Sequence, residues 1–210
     1  VLKIHPDVVL FTDLEKPGVL EKLNDMNIKA MTLSCEGWDA LLQAARTIAT
    51  ALGDPARGES WAKSAQERRE RLLHRVDTFY QARKRPTVYV EIWGDPLTTA
   101  GKGSFVNELV TWAGGIPLGG ELQASYAQVS HEWILRQNPD VIVLAYSNTD
   151  IMKVRDALRK RPGWKELKAV EQNVICTEIP ADMLLRPGPR LLEGAERLAD
   201  WMMEEVISDQ

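Results

Sequence analysis

The chain has few of the residues that usually hold metals or cross-link a fold. It carries two cysteines and three histidines in 210 residues. His5, His74 and His131 show no His-x-His or His-x-x-x-His spacing and have no cysteine companions, so the sequence does not support a bare transition-metal site. Cys35 and Cys176 each lie in or just after a β-like run. Free cysteine is among the most buried residue types, so both are expected to be core thiols rather than partners in a disulfide or a metal pair. Nowhere do 18 or more apolar residues run together, which excludes a membrane-spanning helix. An excess of positive charge is also missing: 26 Lys and Arg face 30 Asp and Glu, for a net charge of -4. Even the richest basic stretch is interleaved with glutamate, as on a solvated face, and nucleic acid is not an expected partner. The chain starts at Val1, within what reads as a helix end, with no Met, basic region or signal-peptide core before it; a mature or truncated piece of a longer product is expected.

What remains is ordinary globular composition, 44% hydrophobic and 27% charged, enough to build a real core in one large domain or two small ones. The stretch Asp54 to Arg85 organises it. Trp61, Ala65, Leu72, Val76, Phe79 and Ala82 recur mostly three or four apart, with Glu67, Arg68, Arg69, Glu70, Arg71 and Arg75 between them, so one apolar stripe runs along a charged helix. Asp54 is placed to cap it, Pro55 to occupy its first turn, and Pro86 to stop it; about 28 residues at 1.5 Å each span ~42 Å. Such a rod can lie on the surface of one domain or hold two apart. On the second reading the chain divides into a partial N-terminal α/β lobe at 1–53, a connecting helix at 54–85 and a C-terminal α/β lobe at 86–210.

Taken in order, Val8 to Phe11 reads as a buried parallel strand, Val19, Leu20, Leu23 and Met26 share a helix face, and Ile28 to Leu33 is the next strand, a right-handed βαβ unit. Leu41, Leu42, Ala45, Ile48, Ala49 and Leu52 then mark a helix closed by Gly53. Beyond the long helix, Thr87 to Trp93 alternates as a strand and leads into a glycine-rich loop, Gly94 to Ser104. Gly101-Lys102-Gly103-Ser104 lacks the first glycine of G-x-x-x-x-G-K-[ST], so a nucleotide site is not expected, but loops after strands are where open α/β sheets bind ligands. Asn138-Pro139-Asp140-Val141-Ile142-Val143-Leu144 repeats the opening His5-Pro6-Asp7-Val8-Val9-Leu10-Phe11 pattern of a Pro-Asp turn and an apolar strand. Each is followed by a helix and another strand, here Val174 to Ile179, which favours two similarly built lobes. The last helix carries Leu191, Leu192, Ala195, Leu198, Ala199 and Met202 on one face.

Three segments carry a family resemblance. They are Val90 to Phe105 with its Ala113-Gly114-Gly115 helix end, Tyr126-Ala127-Gln128-Val129-Ser130-His131-Glu132 running on to Pro139-Asp140-Val141-Ile142, and Asp182 to Arg190 with Arg-Pro-Gly-Pro-Arg. Together they resemble the periplasmic substrate-binding proteins of ATP-binding-cassette importers whose two lobes are joined by one long helix. That group handles cobalamin, ferric siderophores and haem, and the cobalamin branch looks most similar. The resemblance implies an α/β fold of two Rossmann-like lobes and a ligand clamped between them, with no chemistry done on it and no cofactor beyond that ligand, a cobalamin or another metal chelate. It also implies an extracytoplasmic location and a membrane permease as partner. Members of the group begin with a strand, a ligand-bearing loop and a second strand that have no counterpart here, so a truncated first lobe is expected, with a sheet edge that a second copy could pair.

The same resemblance assigns residues. Trp93 and Tyr126 fall where such proteins offer aromatic faces to a large ring, although Trp93 could equally end a core strand; Asp95 and Pro96 follow in the same loop. Arg186 matches an arginine near the pocket, its planar fork suited to amide or phosphate groups, or else it caps a helix or forms a surface ion pair. Met183 and Leu184 stand where a relative has aromatics and would supply apolar contacts, and Thr12 matches another aromatic contact position. Glu132 lies where a surface glutamate docks onto transporter arginines, and its place in a first helical turn also suits the helix dipole; Glu15, or next Glu21, is the corresponding choice on the other lobe. Two readings compete with a corrinoid binder. One is a ferric siderophore or haem binder of the same class. The other is a chelatase-like α/β enzyme, for which Asp95, Lys102 and His131 are the candidates and no spacing ties them together.

Overall fold

A computed structural model of the protein describes residues 4–12, 18–34, 37–146 and 150–208. The backbone gathers into two compact units, Val1–Ala62 and Lys63–Gln210. The boundary falls inside the long helix rather than at its ends, so most of that helix belongs to the second unit.

In the first unit β1 (Val9–Thr12), α1 (Val19–Asp25) and β2 (Ala30–Leu33) form the expected βαβ, with Val9 opposite Ala30 and Thr12 opposite Leu33 in a parallel pair. The helix α2 (Gly37–Ala51) buries Trp38, Leu41 and Leu42. It crosses the start of α3 (Pro55–Tyr80) at very close range, since a Cβ on Gly58 would come within 2.6 Å of the Ala49 side chain. Arg46 and Glu59 pair beside that crossing at 2.6 Å.

The helix α3 starts as its sequence dictates. The Asp54 carboxylate accepts the Arg57 N–H at 3.1 Å, and Pro55 takes a first-turn position where its missing N–H costs nothing. It ends at Tyr80, five residues before the expected Arg85, in a turn where Arg83 N–H donates to the Tyr80 carbonyl. Its length is therefore 26 residues. The buried stripe is Ala62, Ala65, Leu72, Val76 and Tyr80, while Trp61 and Phe79 are half-buried and Ala82 is exposed. On the charged side Arg68 pairs with Glu196, and Arg75 pairs with Asp200 at 2.5 Å.

The second unit is built on a mixed sheet in the order β6-β4-β3-β7-β8, its strands being β3 (Thr87–Gly94), β4 (Leu97–Ala100), β6 (Tyr126–Gln128), β7 (Val141–Leu144) and β8 (Ile175–Cys176); the short β5 (Ile116–Pro117) pairs with the start of β3. β3, β7 and β8 run parallel, and β4 and β6 add an antiparallel corner. The segment read as one long loop after β3 is therefore a hairpin followed by the cap of α4 (Phe105–Trp112), where the Ser104 hydroxyl accepts the Asn107 N–H.

Strand alternation sorts the core onto two faces. Tyr89, Leu97, Ile142, Leu144 and Ile175 pack with residues of α5 (His131–Gln137), α6 (Ile151–Leu158), the turn at Trp164 and α7 (Lys168–Glu171). Val88, Val90, Val141, Val143 and Cys176 are buried on the other face, where Gly115 lies against both Val88 and Val110 of α4. On that side α4, α8 (Ala181–Leu185) and α9 (Leu191–Ser208) pack on one another.

The Asn-Pro-Asp turn before β7 has a definite task. Asn138 sits at φ 44 and closes α5, and the Asp140 carboxylate accepts the Thr87 N–H and hydroxyl, both at 2.9 Å, which fixes where β3 meets β7. Lys168 adds an ion pair at 2.5 Å. Burial is the largest single influence on Asp140 and pushes its pKa up, but Lys168 and the two Thr87 donors together outweigh it and leave the pKa below the ordinary value. A carboxylate depressed in this way stabilises the fold fully above its unfolded pKa of about 4 and loses that contribution as pH falls through the folded value. The difference in melting temperature between the protein and Asp140→Asn should therefore shrink as pH is lowered from 5 to 2, measured by circular dichroism.

Cys176 is 1% exposed, and burial followed by the neighbouring Glu178 carboxylate pushes its thiol up to about 12. In a Cys35→Ser background its thiol should be inert to a disulfide reagent at pH 8 until denaturant is added. Cys35 itself lies outside the described residues.

Candidate functional site

The corner made by β3, β4 and β6 carries the strongest arrangement. Residues directly opposite each other in paired strands point to the same face, and successive residues point to opposite faces. Trp93 is opposite Thr98 and Thr98 is opposite Gln128; one step along, Ala100 is opposite Tyr126. Trp93, Thr98, Gln128 and Tyr126 therefore share one face. Two strand spacings and two residue rises place the Trp93 and Tyr126 backbones about 12 Å apart. Both rings are open, Trp93 at 56% and Tyr126 at 43% exposure, so neither serves as a core residue. The Trp93 indole N–H donates to the Asp95 carbonyl at 2.7 Å, which holds the ring against its own hairpin.

A β-bulge makes this possible. Glu91 is opposite Thr99 while Trp93 is opposite Thr98, so the extra residue between them turns Glu91 and Trp93, two apart in sequence, to opposite faces. Glu91 is fully buried on the far face. Arg161 meets it with two parallel hydrogen bonds of 2.6 and 2.8 Å, the Tyr146 hydroxyl donates at 2.6 Å, and the Tyr89 hydroxyl lies at 3.4 Å. Burial works against the Arg161 charge most strongly, yet the Glu91 carboxylate overrides it and raises the arginine pKa above its usual value. Tyr146 is pushed up by burial and then by Glu91, so its hydroxyl stays protonated and donating. The guanidinium also lies 4.3 Å from the centre of the Trp164 ring, whose indole N–H donates to His131 Nδ1 at 2.9 Å. Gly94 must be glycine here, because a Cβ would fall 2.4 Å from the Tyr146 hydroxyl and 3.3 Å from Arg161.

Beside this cluster lies a cavity of about 590 Å³ whose lining includes Asp95, Pro96, Leu97, His131, Lys160 and Arg161. The structure therefore separates residues that the sequence grouped. Asp95 and Pro96 line a cavity on the Glu91 face, while Trp93 and Tyr126 look out from the opposite one. Asp95 and His131 share that cavity, and Lys102 is not among its lining residues.

The other expected residues fall as follows. Tyr126 opens the three-residue strand β6. Met183 and Leu184, 8% and 1% exposed, pack on the inward face of α8, with Met183 held against Gly194 of α9. Arg186 is exposed at the end of α8 and makes no hydrogen bond or ion pair among the described residues, so the capping alternative finds no support there. Thr12 is the exposed last residue of β1 in the first unit, Glu21 is exposed on α1, and Glu15 lies outside the described residues. Glu132 is exposed in the first turn of α5, which Ser130 caps by accepting the Trp133 N–H. Its own backbone N–H and then the Ser130 hydroxyl hold its carboxyl below the usual range, so it is charged at neutral pH. Among the described residues no group of three His, Cys, Asp or Glu could hold a metal, and no helix is long and apolar enough to cross a membrane.

Glu91, Arg161 and Tyr146 went unassigned from sequence. Glu91 is 70 residues from Arg161, and no spacing connects them. The available signal was Glu91 itself, a charge inside an otherwise apolar strand that had to find a partner.

Similarity to known proteins agrees with this architecture. An uncharacterized ABC transporter substrate-binding lipoprotein of Bacillus subtilis strain 168, YvrC, is 27% identical over 214 residues, covering 100% of this chain and 66% of its own length. A vitamin B12-binding protein of Pectobacterium atrosepticum is 24% identical over 206 residues, covering 97% of this chain and 70% of its own length. The chain thus spans about two thirds of these relatives. Among solved structures, the periplasmic heme-binding protein RhuT from Roseiflexus sp. RS-1 superimposes with a TM-score of 0.83 at 24% identity, over 97% of this chain and 78% of its own, which establishes the fold. The periplasmic binding protein family profile matches residues 1–178, and with that match over most of its length the chain belongs to the periplasmic binding protein family.

Proposed function

We propose that the protein is the substrate-binding component of an ABC importer and works outside the cytoplasm. In this reading it holds a broad ring ligand on the Trp93 and Tyr126 face and carries it to a membrane permease without altering it. The observation that carries the reading is the pair of open aromatic residues on one face of a sheet corner, their backbones about 12 Å apart by strand geometry, a spacing of the order of a tetrapyrrole-like macrocycle. Rigid aromatic faces bury a large apolar ring at little entropic cost, and a sheet holds them in place before the ligand arrives. A corrinoid is the first choice. The vitamin B12-binding relative supports it, while the heme-binding structure keeps a porphyrin as the second reading and a ferric siderophore as the third. Arg186, exposed and without a hydrogen bond or ion pair among the described residues, is suited to polar groups at the ligand's edge. Glu132, exposed and charged, is suited to meet permease arginines, where it would set orientation and on-rate more than affinity. Mixing the protein with cyanocobalamin, iron protoporphyrin or a ferric hydroxamate and desalting tests the reading. Retained cobalamin colour with quenched tryptophan fluorescence is expected; retention of the hydroxamate alone would contradict it.

A further inference from the structure

We infer that Gln128 is the residue on this face that reads the rim of the ligand and favours a ring edged with amides over one edged with carboxylates. The inference rests on the reading of the Trp93 and Tyr126 face as the ligand platform. Three observations lead to it. The strand register places Gln128 in the same cross-strand row as Trp93 and on the same strand face as Tyr126, so it stands at the margin of any ring spanning the two aromatics. Its side chain is exposed and makes no hydrogen bond among the described residues. Thr98, the polar residue between it and Trp93, has already committed its hydroxyl hydrogen to the Pro96 carbonyl at 2.9 Å. Gln128 is therefore the side chain of this row with both a donor and an acceptor still unspent. A primary amide on the ligand also carries a donor and an acceptor, and the two can pair through both. A carboxylate can only accept, so it uses the NH₂ half of Gln128 and leaves the carbonyl facing another oxygen. Specificity of this kind comes from the polar group left badly paired in the wrong complex.

Dissociation constants for cyanocobalamin and iron protoporphyrin, measured by tryptophan quenching on the protein and on Gln128→Leu, Gln128→Glu and Trp93→Ala, test the inference. Gln128 lies on the surface, so its variants should melt with the unaltered protein. Gln128→Leu is expected to weaken cyanocobalamin about 3- to 10-fold, the loss of one or two net hydrogen bonds. Gln128→Glu can still accept from a ligand amide NH₂ but leaves the amide carbonyl facing an oxygen, so it should weaken cyanocobalamin by about as much as Gln128→Leu does, while like-charge repulsion weakens the porphyrin by about 10-fold or more. Cyanocobalamin binding unchanged in Gln128→Leu but weakened in Trp93→Ala would overturn the role of Gln128 and leave the platform standing. Binding unchanged in Trp93→Ala would overturn the platform and this inference together.

Discussion

Replacing Trp93 with alanine is expected to weaken ring-ligand binding by about 30-fold or more, because a large aromatic at the centre of a contact typically contributes at least 2 kcal/mol. The ring is held by its indole hydrogen bond to Asp95 at 2.7 Å and stays open at 56% exposure. A ligand therefore meets a surface that is already ordered, and little of the contact energy goes into arranging it. Tyr126→Ala should show a smaller loss, and the double variant should fall short of the sum if one ring spans both side chains, since residues sharing a partner couple. Because neither ring is part of the core, the melting temperature should stay close to that of the unaltered protein. An affinity loss accompanied by a large drop in melting temperature would instead mean that Trp93 supports the hairpin rather than the ligand.

The second large effect concerns the far face of the same strand. Arg161→Met leaves the Glu91 carboxylate, fully buried, without its bidentate partner and with only the tyrosine hydroxyls to hold it. Stranding a buried charge in this way costs about 3–5 kcal/mol, which for a domain of this size lowers the melting temperature by roughly 10 °C. Converting Glu91 as well, in Glu91→Gln with Arg161→Met, removes the stranded charge and should restore much of the loss. A single variant that melts within about 2 °C of the unaltered protein would show that solvent reaches Glu91 and that the pair is not a structural anchor. The pair sits at the bulge that turns Trp93 outward, so a failed anchor would also undermine the argument that the platform is rigid.

Much of the fold could be read from local pattern. The two βαβ units, the long amphipathic helix with its Asp54 cap and the strand at Thr87 follow from periodicity and from Pro and Gly punctuation, because those signals act within a few residues. The helix end was misplaced because Pro86 forbids continuation without requiring that the residues before it stay helical. The hairpin Gly94–Leu97 was hidden because β4 and β6 are four and three residues long, too short for alternation to stand out. The site was half legible. Trp93 and Tyr126 could be proposed from the resemblance of their segments, whereas their common face depends on the register among three strands and on one bulge. Gln128 and the Glu91 cluster depend on the same long-range pairing. The burial of Met183 and Leu184 was not legible, because a short helix of apolar residues looks the same in sequence whether it faces a ligand or a neighbouring helix.

The most direct measurement is a crystal structure of the protein with cyanocobalamin. The ring is expected to lie across the corner of β3, β4 and β6, in van der Waals contact with both Trp93 and Tyr126 and with its edge within hydrogen-bond reach of Gln128. A ring bound away from both aromatics, in the cavity lined by Asp95, His131 and Lys160 or elsewhere, would contradict the account.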